Sequence, residues 1–113
     1  MKAVNKRNNF MLADVIEVAA SAGERMKGLL GRKELPAGQG LLIKKCNGIH
    51  MFFMRFVIDA VFLSKEDEVV YILRNFKPWR VSKIVSRAAA VLELPAGTLG
   101  NNVKEGDFID FVV

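Results

Sequence analysis

The chain contains one cysteine and one histidine, Cys46 and His50, four positions apart. Such a pair could form part of a metal site or of a thiol nucleophile activated by imidazole. Zinc takes three or four ligands from Cys, His and carboxylate side chains, so carboxylates would have to complete the set. A Cys–His nucleophile requires the two side chains to touch. A half-buried cysteine and a hydrogen-bonded histidine are the favoured interpretation, and the sequence predicts neither a metal site nor a cofactor.

Two carboxylic acids, Asp59 and Glu93, stand alone in apolar segments that have the composition of strands. One hypothesis makes them an acid–base pair with raised pKa values in a cleft. The favoured alternative is that each holds a basic side chain or backbone N–H groups. Ligand binding by these two residues remains open, but the sequence offers no complete catalytic set.

The most apolar part of the chain is residues 51–63, whose only charged side chains are Arg55 and Asp59. Its content of Phe, Val and Ile predicts a buried strand over residues 56–63. In a strand, residues four apart are separated by about 13 Å, so these two charges cannot pair. Because an unpaired buried charge is costly, Asp59 is expected to meet a cation from elsewhere in the chain.

The segment 74–87 supplies such cations, since it is basic throughout and contains no acid. Arg80 is the first predicted partner of Asp59 and Arg74 is the second. The same segment carries Phe76 and Trp79, a combination typical of platforms that stack bases and contact phosphates. It is equally typical of a strap in which the tryptophan covers the core and long basic side chains lie over apolar surface. The strap is the favoured interpretation.

The elements that must position these side chains follow from local patterns. Ser21 and Glu24 form a capping box, which predicts a helix over residues 22–30 with Met26, Leu29 and Leu30 packed on the core. Residues 57–63 and 69–73 flank a polar turn and predict a hairpin at the centre of the sheet. The remaining predicted strands are 10–19, 41–43, 88–94 and 108–113.

These elements predict a mainly β fold, a small antiparallel β-sandwich or open barrel with one short capped α-helix at about 22–30. The length of 113 residues suits one domain. We expect a loose N-terminal segment at residues 1–9 followed by a single β-rich domain at 10–113.

Composition narrows the function classes. One cysteine excludes an internal disulfide, and no apolar stretch is long enough for a membrane span or a signal peptide. The sequence therefore predicts a soluble, cytoplasmic protein that does not associate with membranes. The formal net charge of +5 permits nucleic-acid binding without requiring it.

Three ordered motifs carry a family resemblance: ERMKGLLGR at 24–32, FFMRFVIDAVFL at 52–63 and AVLELPAGT at 90–98, followed by Gly106 and Asp107. With these motifs the chain resembles the bacterial and archaeal family called domain of unknown function 192, over about residues 12–112. The resemblance implies a compact fold similar to a β-sandwich and brings no established activity or cofactor.

The function predicted from the sequence is a non-enzymatic module that binds a small molecule or a protein. Its candidate ligand-binding residues are His50, Arg55, Asp59, Trp79, Arg80 and Glu93. One alternative is a small hydrolase-like enzyme that uses Asp59, Glu93 and His50, and it would be favoured if these side chains met in one cleft. A second alternative, which the sequence does not favour, is nucleic-acid binding through the segment 74–87.

Overall fold

The computed structural model describes residues 1–113 and folds them into two β-sheets with one short helix. This confirms the predicted mainly β class. The elements are β1 (Lys2–Asn5), β2 (Met11–Ala13), β3 (Val15–Ala19), α1 (Ala22–Lys27), β4 (Gln39–Lys44), β5 (Ile58–Leu63), β6 (Val69–Phe76), β7 (Ala90–Pro95) and β8 (Ile109–Val112).

The larger sheet has the strand order β3-β4-β7-β5-β6, with β3 and β4 parallel and the other pairs antiparallel. The predicted hairpin is confirmed as β5 and β6, and every residue of β5 is buried. Its predicted place at the centre of the sheet is wrong for β6, which forms the edge. The middle position belongs to β7, because the chain returns late to insert this strand between β4 and β5.

The smaller sheet has the order β2-β1-β8, so the N-terminal strand is its middle strand. Residues 1–9 are therefore not loose: Ala3 and Asn5 are fully buried. Asn5 donates its side-chain amide to Asp107 at 2.8 Å, and Arg7 donates its Nε to the same carboxylate at 2.8 Å. The expectation failed because the pairing of β1 with β8 joins the two ends of the chain and has no local signature.

The predicted strand 10–19 is divided at Asp14 between the two sheets, since β2 lies in the smaller sheet and β3 in the larger. The backbone N–H groups of Asp14 and Val15 both donate to the carbonyl of Gly38, at 2.8 and 3.1 Å. The chain can therefore pass from one sheet to the other without leaving these donors unpaired.

The capping box at the start of α1 is confirmed, because the Ser21 hydroxyl accepts from the Glu24 N–H and the Glu24 carboxylate accepts from the Ser21 N–H. The helix ends at Lys27 rather than at residue 30. Gly28 follows with a φ of 48°, a conformation that glycine adopts readily. This early stop leaves Met26 80% exposed, so its predicted burial is wrong, while Leu29 is buried as predicted.

The larger sheet separates two hydrophobic clusters. We call the face that packs on the smaller sheet the inner face; its cluster includes Leu12, Val61, Leu63, Leu92 and Ile109. The opposite, outer face is covered by the segment after α1 and by the loops; its cluster includes Leu29, Met51, Ala60, Phe62 and Val91. Because side chains alternate along a strand, Asp59 belongs to the inner face and Glu93 to the outer face.

Candidate ligand-binding cleft

A cleft of about 160 Å³ opens on the outer face, between the segment at residues 25–30 and the loop at residues 45–51. Apolar side chains of Leu29, Ile43, Met51 and Met54 form much of its wall. Its polar groups are few and come from separate parts of the chain: Arg25, Lys27, Lys45, Cys46, His50 and Glu93. A mostly apolar cleft with a few converging polar groups has the composition of a small-molecule site.

Glu93 lies in the cleft on the central strand β7, with Leu41 of β4 and Ala60 of β5 as its neighbours across the sheet. Its side chain is buried, and burial raises its pKa from 4.5 to about 7. The carboxyl group makes no hydrogen bond within the protein. Every side-chain oxygen or nitrogen that is fully shielded from solvent, in contrast, has a hydrogen-bond partner. The oxygens of Glu93 must therefore retain contact with solvent, and the cleft supplies that contact.

Cys46 and His50 line the same cleft without forming a reactive pair. The Cys46 thiol donates to the carbonyl of Gly48 at 3.1 Å rather than to the imidazole. Burial raises the pKa of this thiol, and the nearby Glu93 acts in the same direction. Because the thiolate is the nucleophilic form, these surroundings keep Cys46 unreactive.

The imidazole of His50 is at the exposed rim, where its Nδ1 accepts the backbone N–H of Phe52 at 3.3 Å. Neutral His50 then carries its proton on Nε2. No group of three or more His, Cys, Asp or Glu side chains in the structure is arranged to hold a metal ion.

Asp59 lies on the inner face of the larger sheet, whereas the cleft is on the outer face. Its carboxylate accepts the backbone N–H of Asn75 at 3.0 Å and that of Leu99 at 3.2 Å. The predicted ion pair with Arg80 or Arg74 is wrong, because neither forms a salt bridge and Arg74 donates instead to the carbonyl of Val103 at 2.9 Å. The β5–β6 pairing is irregular between Ile58 and Ala60, beside Asp59, and backbone N–H groups rather than a cation satisfy the carboxylate here.

The loops at residues 46–56 and 77–89 form a second feature beside the cleft. They are joined by backbone hydrogen bonds, among them Met51 N–H to the carbonyl of Arg80 and Trp79 N–H to the carbonyl of Met51, both at 2.7 Å. The pairing brings Phe53 within 4.9 Å and Phe52 within 6.1 Å of Trp79, measured between ring centroids. We call these three residues the aromatic cluster.

The aromatic cluster is exposed to solvent, with 71% of Phe53 and 59% of Trp79 accessible. The predicted strap is therefore wrong for Trp79, which does not cover the core. Phe53 and Trp79 also have positive φ angles of 64° and 69°. Such angles are rare and strained for bulky residues, and strain of this kind concentrates at functional sites.

The structure thus divides the candidate residues among three places. Glu93 and His50 share the cleft. Trp79, Arg80 and Arg55 lie on the exposed loops next to it. Asp59 is on the opposite face of the sheet.

Arg25, Phe52 and Phe53 are absent from the candidates named from the sequence. Arg25 is a basic residue of a short helix, and such residues are typical of a solvent-exposed helix face. The two phenylalanines stand in the most apolar run of the chain, which predicted burial. No local signal distinguishes them from core residues.

The fold and the cleft define a small two-sheet β domain with a titratable cleft against its central strand. The chain belongs to the family called domain of unknown function 192, whose profile, described as "Uncharacterized ACR", matches residues 3–111. The resemblance found in the sequence motifs is therefore confirmed.

Two archaeal relatives carry the name UPF0127 protein. The one from Thermococcus sibiricus is 41% identical over 66 residues, a stretch that covers 58% of this chain and 42% of the relative. The one from Pyrococcus horikoshii is 32% identical over 97 residues, a stretch that covers 83% of this chain and 84% of the relative. The chain thus spans less than half of the first relative's length.

Two solved structures share the fold. One, from Sinorhizobium meliloti and provisionally named a transcription regulator, has a TM-score of 0.78 at 24% identity, covering 96% of this chain and 89% of that one. The other is a protein of unknown function from Novosphingobium aromaticivorans. It has a TM-score of 0.76 at 21% identity, and the match covers 98% of this chain and 93% of that one. At these identities the likeness concerns the fold alone. No helix in the structure has the length and hydrophobicity needed to cross a bilayer.

Proposed function

We propose that this protein is a non-enzymatic binding module that holds a small polar ligand in the cleft through Glu93. The observation that carries the proposal is a buried carboxyl group without a hydrogen-bond partner in the protein, directed at a cleft. Buried polar groups in folded proteins are as a rule hydrogen-bonded, and in the unliganded cleft only solvent can supply a donor to this one. A hydrogen-bond donor from a ligand would satisfy this one.

The chemistry of the cleft limits the ligand. Its volume of about 160 Å³ is below the range of about 300–1,000 Å³ typical of drug-sized ligands. The ligand is therefore a small metabolite, or only an end group of a larger molecule enters. An amine or amide would bond to Glu93, while Arg25, Lys27 and Lys45 would attract an acidic group. A free amino acid combines these two features.

The hydrolase-like alternative has weaker support. Glu93 and His50 line one cleft, as that alternative requires, but Asp59 lies on the other face of the sheet with both oxygens held by backbone donors. The protonated Cys46 thiol adds no nucleophile. A binding role needs only the groups that do meet.

The proposal can be tested by thermal-shift screening of amino acids, amines and amides. A ligand that binds only the folded state at one hundred times its Kd stabilises it by about 2.7 kcal/mol. The protein and its Glu93→Gln variant are compared at pH 6 and pH 8, with Glu105→Gln, which changes an exposed carboxylate in a distant turn, as the matched control.

We expect ligands that stabilise the parent and the control but act much more weakly on Glu93→Gln. Calorimetry in two buffers of different ionisation enthalpy should show that a cationic ligand displaces a proton near pH 7, since it favours ionised Glu93. Binding that is unchanged in Glu93→Gln would contradict the proposal.

A further inference from the structure

The loop surface beside the cleft combines exposed aromatic rings with positive charge. The sequence contains no acidic residue between Glu34 and Asp59, nor between Glu68 and Glu93. Both paired loops, 46–56 and 77–89, lie inside these acid-free stretches. The exposed basic residues of the two stretches are Lys44, Lys45, Arg55, Arg74, Lys77, Arg80, Lys83 and Arg87. Glu93, the acid that ends the second stretch, is buried in the cleft beside the loops.

Some of these cations are already engaged. Arg74 donates to backbone carbonyls, Arg87 lies 3.7 Å from Glu68, and the ammonium of Lys83 lies over the ring of Tyr71. Arg55, Lys77 and Arg80 form no ion pair. They stand within two residues of Phe53 or Trp79 in the sequence, so free positive charge flanks the exposed rings.

The aromatic cluster itself implies a partner. Leaving most of Phe53 and Trp79 in water forfeits the free energy that burial would provide, and the loops hold both residues at strained backbone angles. The Phe53 and Trp79 rings are tilted by 60° rather than stacked on each other. Their outer faces therefore remain available to planar groups.

We propose that this loop surface binds single-stranded nucleic acid, with Phe53 and Trp79 stacking on bases and Arg55, Lys77 and Arg80 contacting phosphates. Stacking platforms flanked by cations are how proteins bind single strands without reading their sequence. A duplex offers the phosphates but keeps its base faces covered. The site is separate from the cleft, since it does not use Glu93.

The protein provides its own probe, because Trp79 is the only tryptophan. Unlabelled ten-nucleotide strands of dT and of rU are titrated while the tryptophan fluorescence is recorded. A base stacked on the indole should quench it. The affinity should fall with salt, with a slope of log K against log salt near −0.7 for each phosphate contacted.

Variants separate stacking from charge. Phe53→Ala should weaken binding by about fivefold or more, because base stacking on one ring contributes about 1–3 kcal/mol. Phe108→Ala, which removes another exposed ring next to the smaller sheet, is the matched control and should leave binding unchanged. Arg80→Ala should weaken binding and make the salt slope shallower by about 0.7. Glu93→Gln should bind the strands like the parent, so the cleft proposal can fail without affecting this one.

Three outcomes would overturn the proposal. The first is no quenching by either strand at low salt. The second is equal quenching by a ten-base-pair duplex or by inorganic polyphosphate, which would show that charge alone is recognised. The third is a blue shift of Trp79 with phosphatidylserine vesicles and no response to the strands, which would assign the surface to an anionic bilayer instead.

Discussion

Replacing Glu93 by glutamine should make the protein more stable at alkaline pH. In the unfolded chain the carboxyl group has its ordinary pKa of 4.5, and burial raises the pKa to about 7 in the folded protein. Below pH 4.5 the group is protonated in both states and stability does not depend on it. Between pH 4.5 and 7 the folded state keeps a proton that the unfolded state has released, so stability falls as pH rises.

Above pH 7 this loss is complete, and its size follows from the two pKa values. At 1.36 kcal/mol per pH unit, a change from 4.5 to about 7 corresponds to about 3 kcal/mol. Glutamine is neutral at every pH and has nearly the same shape. Glu93→Gln should therefore match the parent at pH 4 and exceed its unfolding free energy by about 3 kcal/mol at pH 8, which corresponds to a Tm higher by about 10 °C.

The assay is urea unfolding of both proteins from pH 4 to pH 8, followed by circular dichroism. Other titrating groups contribute equally to the two proteins, so the difference between them isolates Glu93. Glu105→Gln serves as the control and should differ from the parent by less than about 0.5 kcal/mol throughout. Equal stabilities of parent and Glu93→Gln at pH 8 would refute the reasoning, because they would show that the ionised carboxylate is either paired in the folded state or hydrated as well there as in the unfolded chain.

Three further changes test the structural roles of polar side chains. Asp59→Asn should lower the free energy of unfolding by about 2–3 kcal/mol, because an amide cannot accept both backbone N–H groups. In urea unfolding, the losses from Asp59→Asn and Arg80→Ala should add in the double variant. A double variant that loses less than this sum would show that the two side chains interact, as an ion pair would require. Ser21→Ala should cost about 1 kcal/mol through loss of the helix cap, and an unchanged Tm would show that the cap is unimportant. The pKa of Asp107 is lowered to about 2, chiefly by its hydrogen bond to Arg7, so this carboxylate contributes stability that is lost as pH falls from 4 to 2. Asp107→Asn should therefore lower the free energy of unfolding by about 2 kcal/mol at pH 7 and have little effect at pH 2. An equal effect at both pH values would contradict this role.

Local patterns in the sequence were sufficient for several elements. The capping box specified where α1 begins, since Ser21 and Glu24 satisfy each other's backbone N–H groups within one turn. The apolar composition of residues 57–63 and the polar turn that follows them specified the hairpin of β5 and β6. These features involve residues close in sequence, so their energetics can be read without the rest of the fold.

The sequence also marked Glu93 and His50 as candidates for the cleft, because a lone acid in an apolar strand and a single histidine are conspicuous. It could not show that Asp59, equally conspicuous, belongs elsewhere. That difference depends on the β5–β7 register, which pairs Ala60 with Glu93 and Asp59 with Leu94. A shift of one residue would have put both acids on the same face.

The sequence by itself determined the class of fold, the capped start of the helix, the β5–β6 hairpin and the residues most worth testing. Only the tertiary structure decided that β1 closes the smaller sheet against β8, that Asp59 is held by backbone donors, and that Phe53 and Trp79 meet in solvent. Each of these depends on backbone hydrogen bonds between segments far apart in the chain. Their partners are set by the global packing of the two sheets, which no local period of two or 3.6 residues encodes.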